Sequence, residues 1–273
     1  MAQPISPDMG PDPRALASLL AFWADSGVDA CVQDEPFDRM AEGAARLAKA
    51  SRPPPAPEPP ALQMIVEEGP DYAAMIAEAW MVAAAAKDLT ELEAAIVAYE
   101  GCTLKGQGAK SVVFSRGNPN AQVMIIGEGP GAEEDAQGQP FVGRAGKLLD
   151  KMIAAAGLTD QVFITNTVFW RPPGNRNPTP GEQTACQPFL ERAISLVRPK
   201  VLLLSGGVSA KSLLKREEGI LSLHGRWMDW TSRDGQLTIP ALPTLHPAFL
   251  LRQPAAKKKA WADLLTLMSR LEP

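Results

Sequence analysis

The chain has 273 residues, 45% of them hydrophobic and 21% charged, with a formal net charge of −4, enough apolar material for one α/β core and an appendage. The negative sum excludes nucleic-acid binding through a global field, so any such contact must come from a local basic face. Membrane insertion, secretion and a disulfide framework are not indicated: no apolar run reaches a span, the start "MAQPISPDMGPDPR" lacks a cationic and apolar leader pattern, and Cys31, Cys102 and Cys186 are odd in number and far apart, which fits a reducing cytoplasm.

In chain order, residues 1–50 read as an accessory helical segment, on the helical spacing of Leu16, Leu19, Leu20 and Trp23. "SRPPPAPEPPA" at 51–61 cannot pack as helix or central strand, because proline removes donors and fixes φ, so it predicts a stiff linker. Residues 62–88 form a helical lead-in carrying the alanine-rich "DYAAMIAEAWMVAAAA". The functional domain is then expected at 89–273. Thr90 followed by Glu93 predicts a capping box opening a helix with Leu92, Ile96 and Tyr99 on one face.

From Val112 the pattern alternates. Short apolar runs at 123–126, 162–166, 201–204 and 239–243 are separated by helical stretches near 144–156, 180–197, 208–216 and 256–270. This alternation predicts a mostly parallel sheet covered on both faces, with ligands bound beyond the carboxyl ends of its strands. Those ends are followed or closed by Glu128, Asn166, Ser205-Gly206-Gly207 and His246, which are expected to share one rim.

The stretch "GEGPGAEEDAQGQPFVGRAGKLLD", 127–150, sets Gly127, Gly129 and Gly131 around Pro130 before a helix, an arrangement that lets backbone approach a ligand closely. It lacks the endings of a P-loop and of a dinucleotide fingerprint, and by itself it reads equally as a tight strand-to-helix turn.

"GEGPGAEEDAQGQPFVGRAG", "ITNTVFWRPPGNRNPTPGE" and "LPTLHPAFLL" together resemble, in order and spacing, the three signature regions of the uracil-DNA glycosylase superfamily. The match is closest to its bacterial and archaeal family 4, whose members usually carry an iron–sulfur cluster, and it spans about Leu89 to Leu271. The resemblance implies a three-layer α/β/α sandwich around a short, mostly parallel sheet, here with an N-terminal helical extension. It implies a monomeric glycosylase of base excision repair that flips deoxyuridine out of single- or double-stranded DNA and hydrolyses its N-glycosidic bond, leaving an abasic site.

By the same resemblance Asn166 reads uracil N3–H and O4, Phe141 stacks on the base beside Gly127, Gly129 and Pro130, and His246 donates to O2 as charge grows there. Glu128, Glu134 and Asp135 are the candidates for stabilising C1′ and orienting water, with Glu134 also a candidate for excluding the thymine methyl; Glu133 reads as solvated. Arg144, Lys147, Arg171, Arg176 and Arg252 are candidate phosphate contacts, and Leu250, Leu251 and Arg252 resemble the wedge that fills the hole left by the base. Lys257–Lys259 read equally as a solvated helix face or a DNA contact, and His224 as structural or surface.

The family binds its cluster through a Cys-x-x-Cys pair and two later cysteines. Here Cys102 and Cys186 remain, while Lys105 and Trp170 occupy the other two positions. Four thiolates cannot come from these residues, so no cofactor is expected, with Trp170 filling the volume and Lys105 directing its charge to solvent. Two rivals stand beside the enzyme: a degenerate reader that binds uracil in DNA without turnover, and a nucleoside or nucleotide N-glycoside hydrolase. Joint retention of Glu128, Phe141, Asn166 and His246 favours the enzyme, and the wedge favours DNA.

Overall fold

The computed structural model describes residues 70–271, together with Ala17 and Asp38. Apart from those two residues, the expected accessory segment and proline linker lie outside the described residues.

Each apolar run predicted as a strand is one: β2 (Val123–Gly127), β3 (Val162–Asn166), β4 (Val201–Ser205) and β6 (Thr238–Thr244) lie parallel to one another. β2, β3 and β4 are buried at every position because both faces are covered. Period-two alternation divides their side chains between two cores. Met124, Ile126, Phe163, Leu202 and Leu204 enter one; Val123, Ile125, Val162, Ile164, Val201 and Leu203 enter the other.

Two antiparallel edges complete the sheet. β1 (Ser115–Gly117) pairs with β3 and β5 (Met228–Thr231) with β6, giving the order β1-β3-β2-β4-β6-β5.

The first core is closed by α1 (Pro70–Ala85), α2 (Leu89–Ala98) and α5 (Pro180–Val197), through Ala79, Ala83, Leu92, Ile96, Phe189 and Ile194. The second is closed by α4 (Arg144–Ala155) and α9 (Lys257–Leu271), through Leu149, Ile153, Leu264 and Leu267. Shorter helices sit in the connections: α3 (Ala132–Gln137), α6 (Gly207–Leu214), α7 (Ile220–Leu223) and α8 (Pro247–Arg252). Helices on both faces of the sheet make the three layers that the alternation implied.

The apolar face of α2 is as expected, but its start is not. Asp88, not Thr90, is the N-cap and accepts from the Glu91 N–H at 2.8 Å, while Glu91 reaches back to the Lys87 N–H at 2.7 Å. The aspartate, two residues earlier, takes the orphan amide first. Among the described residues no helix is long and apolar enough to cross a membrane.

Candidate active site

The carboxyl ends of β2, β3, β4 and β6 open into one cleft of about 580 Å³. It is lined by Glu128, Gly129, Pro130, Glu134, Phe141, Asn166, Arg176, His246 and Arg252, all singled out in the sequence, and by Pro172, Asn175, Asn177, Gly206, Ile220 and Ala248 among others. The register explains the convergence. Gly127 pairs with Asn166 across β2 and β3, so the residues after them share the floor. Gly127 itself lies beneath it, where a Cβ would run into Asn166 Oδ1 and the Phe141 ring.

Asn166 is 2% exposed, and its side-chain amide makes no hydrogen bond to any described residue. A buried amide without a protein partner, open only to a cleft, is a site waiting for a ligand with a complementary edge. Phe141 flanks it, with its ring centroid 5.6 Å from that of His246 and the planes 30° apart.

His246 is the N-cap of α8, and its Nδ1 accepts from the Ala248 N–H at 3.2 Å. That bond consumes the lone pair of Nδ1 and fixes the proton of the neutral ring on Nε2. Burial, the dominant influence, holds the imidazole below its ordinary value of 6.5, and Arg252 adds to this while Glu128 and Glu134 oppose it. The ring is therefore a neutral donor at pH 7.

The three candidate carboxylates separate by their partners. Glu128 Oε1 accepts from the Val208 N–H at 3.2 Å, and its other oxygen has no partner among the described residues. Glu134 is spent on backbone: Oε1 accepts from the Val142 and Gly143 N–H groups at 3.0 and 2.8 Å, and Oε2 from Gly131 at 3.1 Å. Asp135 does not reach the cleft. It is 1% exposed and accepts from the Lys110 and Ser111 N–H groups at 2.8 and 3.2 Å, tying α3 to the chain before β1. Glu133 is exposed, as expected.

The basic residues also divide. Arg252 lines the cleft and is exposed, and Arg144 and Lys147 are exposed on α4 outside it. Arg171 donates to Asn175 Oδ1 at 2.7 Å. Arg176 lines the cleft, but its fork is committed to Glu182 at 2.6 and 2.8 Å. Burial alone raises the Glu182 carboxyl; the Arg176 bonds and the Thr179 amide overcome it and leave the group low, so this ion pair persists. Of the wedge residues, Leu250 is fully buried beside Leu245 and Ala260, whereas Leu251 is 38% exposed. Lys257–Lys259 are exposed on the first turn of α9. His224 bonds the buried Asp263 through Nδ1 at 3.2 Å.

Cleft residues that sequence reasoning did not single out come from a loop and two short helices: Pro172, Asn175 and Asn177 from the "RPPGNRNP" turn, Ile220 from α7 and Ala248 from α8. The one usable signal was the density of asparagine, proline and glycine after β3, which marks a turn with left-handed positions; Asn175 has φ 56.

Cys102 and Cys186 meet in the first core, both buried, with Sγ atoms 3.8 Å apart. Cys186 donates to Cys102. Burial, reinforced by that neighbour, keeps the Cys186 thiol well above its ordinary value, while the bond holds Cys102 below. Trp170, 2% exposed, packs edge-on against Phe169 with centroids 6.3 Å apart. Lys105 does not simply face solvent. Its ammonium donates to the Val97 and Tyr99 carbonyls at 2.7 and 3.3 Å and pairs with Glu100, because the open carbonyls at the end of α2 attract a cation. Two thiols, an indole and an occupied ammonium do not fit a four-thiolate cluster. Among the described residues no three His, Cys, Asp or Glu side chains converge as a metal-binding group.

The family model described as the Uracil DNA glycosylase superfamily matches residues 114–265. The chain is similar to the type-4 uracil-DNA glycosylase of Sulfurisphaera tokodaii, 38% identical over 176 residues that cover 62% of this chain and 79% of the relative. It is similar to that of Thermotoga maritima, 40% identical over 144 residues covering 52% and 72%. With that of Pyrobaculum aerophilum it is 37% identical over 182 residues, covering 65% and 91%.

Proposed function

The chain belongs to the uracil-DNA glycosylase superfamily, and from that membership we propose that it hydrolyses the N-glycosidic bond of deoxyuridine in DNA, leaving an abasic site for base excision repair. The observation that carries this reading is the buried Asn166 amide at the floor of the cleft, without a hydrogen-bond partner among the described residues. Its oxygen accepts from uracil N3–H and its NH₂ donates to O4; cytosine presents the opposite pattern and leaves the amide unsatisfied.

The geometry supports the other proposed roles. Phe141 stacks on the flipped base, worth about 1–3 kcal/mol whatever the flanking sequence. His246 aims Nε2–H at O2, where negative charge develops as the base departs; a neutral donor there stabilises the leaving uracil anion without first having to lose a proton. Glu128 is the carboxylate for C1′ and water. One oxygen is held by the Val208 N–H and the other is available to the cleft, which supports it over Glu134, whose oxygens are occupied, and Asp135, which lies elsewhere. The anion faces the oxocarbenium character of C1′ on one side and accepts a water proton on the other. Leu251 fills the vacated stack and Arg252 contacts phosphate at the rim, with Arg144 and Lys147 extending the grip.

The proposed excision uses no iron–sulfur cluster, which Cys102, Lys105, Trp170 and Cys186 do not fit. The odd cysteine count supports a reducing, cytoplasmic setting, and we take the working unit to be a monomer on uracil-containing DNA.

Asn166→Asp tests the reading. The new carboxylate only accepts, so single-turnover excision of uracil should fall by at least about 10²-fold, with a trace of cytosine excision gained. Wild-type uracil rates in this variant would remove Asn166 as the reader.

A further inference from the structure

Phe141, the stacking platform, sits at φ 54, a left-handed conformation that a non-glycine residue keeps only where its surroundings over-determine it. The peptide units on both sides are clamped. Glu134 takes the Val142 and Gly143 amides. The carbonyls are taken by Arg116 of β1: Nε donates to Pro140 O at 2.8 Å and Nη2 to Phe141 O at 3.1 Å. The same Nη2 donates to Asp150 Oδ1 on α4 at 2.6 Å. Gly146 completes the fit, because a Cβ there would collide with the Phe141 carbonyl oxygen.

We propose that Arg116, oriented by Asp150, is a positioning residue for excision: it holds the two carbonyls that set the plane of the Phe141 ring against the flipped base. The role needs arginine. A planar guanidinium reaches two carbonyls and a carboxylate with fixed directions, whereas a lysine ammonium supplies a point charge and no fork. Arg116 does not line the cleft and touches no substrate, so its effect passes through Phe141. The inference rests on the reading of this cleft as a uracil pocket.

A double-mutant cycle separates positioning from general support. Arg116→Met keeps the aliphatic length and removes the donors; it should slow single-turnover excision by about 10- to 100-fold, the scale of a slightly misplaced contact, with DNA affinity little changed. Arg116→Lys should recover part of the loss. Phe141→Gly removes both the ring and the left-handed strain, and adding Arg116→Met to it should cause no further slowing. Equal slowing in both backgrounds, or a wild-type rate in Arg116→Met, overturns the proposal.

Should Arg116→Met fail to fold, Asp150→Asn gives a milder form of the same test. It leaves every Arg116 donor in place, and its loss should likewise vanish with Phe141→Gly; an undiminished loss there overturns the proposal. If the wild-type protein excised nothing, the proposed function would fall, and the clamp would be decided by the crystal structure of Arg116→Met or, should that variant not fold, of Asp150→Asn. Phe141 relaxed from the left-handed region supports it, and an unmoved Phe141 overturns it.

Discussion

His246 owes its proposed role to a backbone amide two residues ahead, which no spacing rule singles out. The proline at the first position of α8 starts the helix, and the free Ala248 N–H turns back onto Nδ1, leaving Nε2–H as the only donor the ring can offer. His246→Ala should lower the single-turnover rate by about 10²–10³, the usual cost of one oxyanion donor, with a smaller change in DNA affinity. A large affinity loss with unchanged chemistry would contradict it. The pH dependence has a definite sign. Because burial holds the native pKa below 6.5, the unfolded chain binds a proton that the native protein refuses as pH falls through 6.5. Stability contributed by this group is present above that value and declines below it, levelling only beneath the native pKa. The sequence offered the histidine, Asn166 and Phe141 through the resemblance of their motifs, and the cleft brings the three together. The ranking of the acids was not legible: Glu134 and Asp135 look alike in "GAEED", and only the fold shows that one clasps three amides and the other leaves the cleft.

At the scale of elements, the parallel strands were legible because a strand buried on both faces must be apolar throughout, and "VMII" and "VLLL" are. β1 and β5 were not. "SRG" is three residues with no apolar member, and "MDWT" has only Trp230 buried, so neither carries a periodic signal; each exists because a neighbouring strand offers its open edge. The missed β1 matters, since it delivers Arg116 to the Phe141 turn. The elements around Cys102 and Cys186 meet in the first core, where Trp170 fills space, and Lys105 closes the end of α2. The purified protein should therefore contain no stoichiometric iron or acid-labile sulfide and stay folded and active in chelator. Iron and sulfide in anaerobically prepared protein, or unfolding on chelation, would contradict the repacked site.

For the whole molecule, a net charge of −4 and a DNA substrate are compatible because the exposed cations Arg144, Lys147, Arg252 and Lys257–Lys259 belong to α4, α8 and α9, all attached to the same face of the sheet or its rim. The architecture was legible from strand–helix alternation alone, since parallel strands need covered faces and deliver their loops to one end. The contribution of residues 1–69 was not, because a proline-rich run and a few leucines at helical spacing name no chemistry. Metal-free cleavage of the glycosidic bond in this cleft is what we propose. Its most direct test is to incubate the full chain with a uracil-containing oligonucleotide in excess EDTA and then treat the DNA with alkali. Scission at the uracil position, absent from a thymine control, is the predicted result; binding of the uracil strand with no alkali-labile site would contradict it.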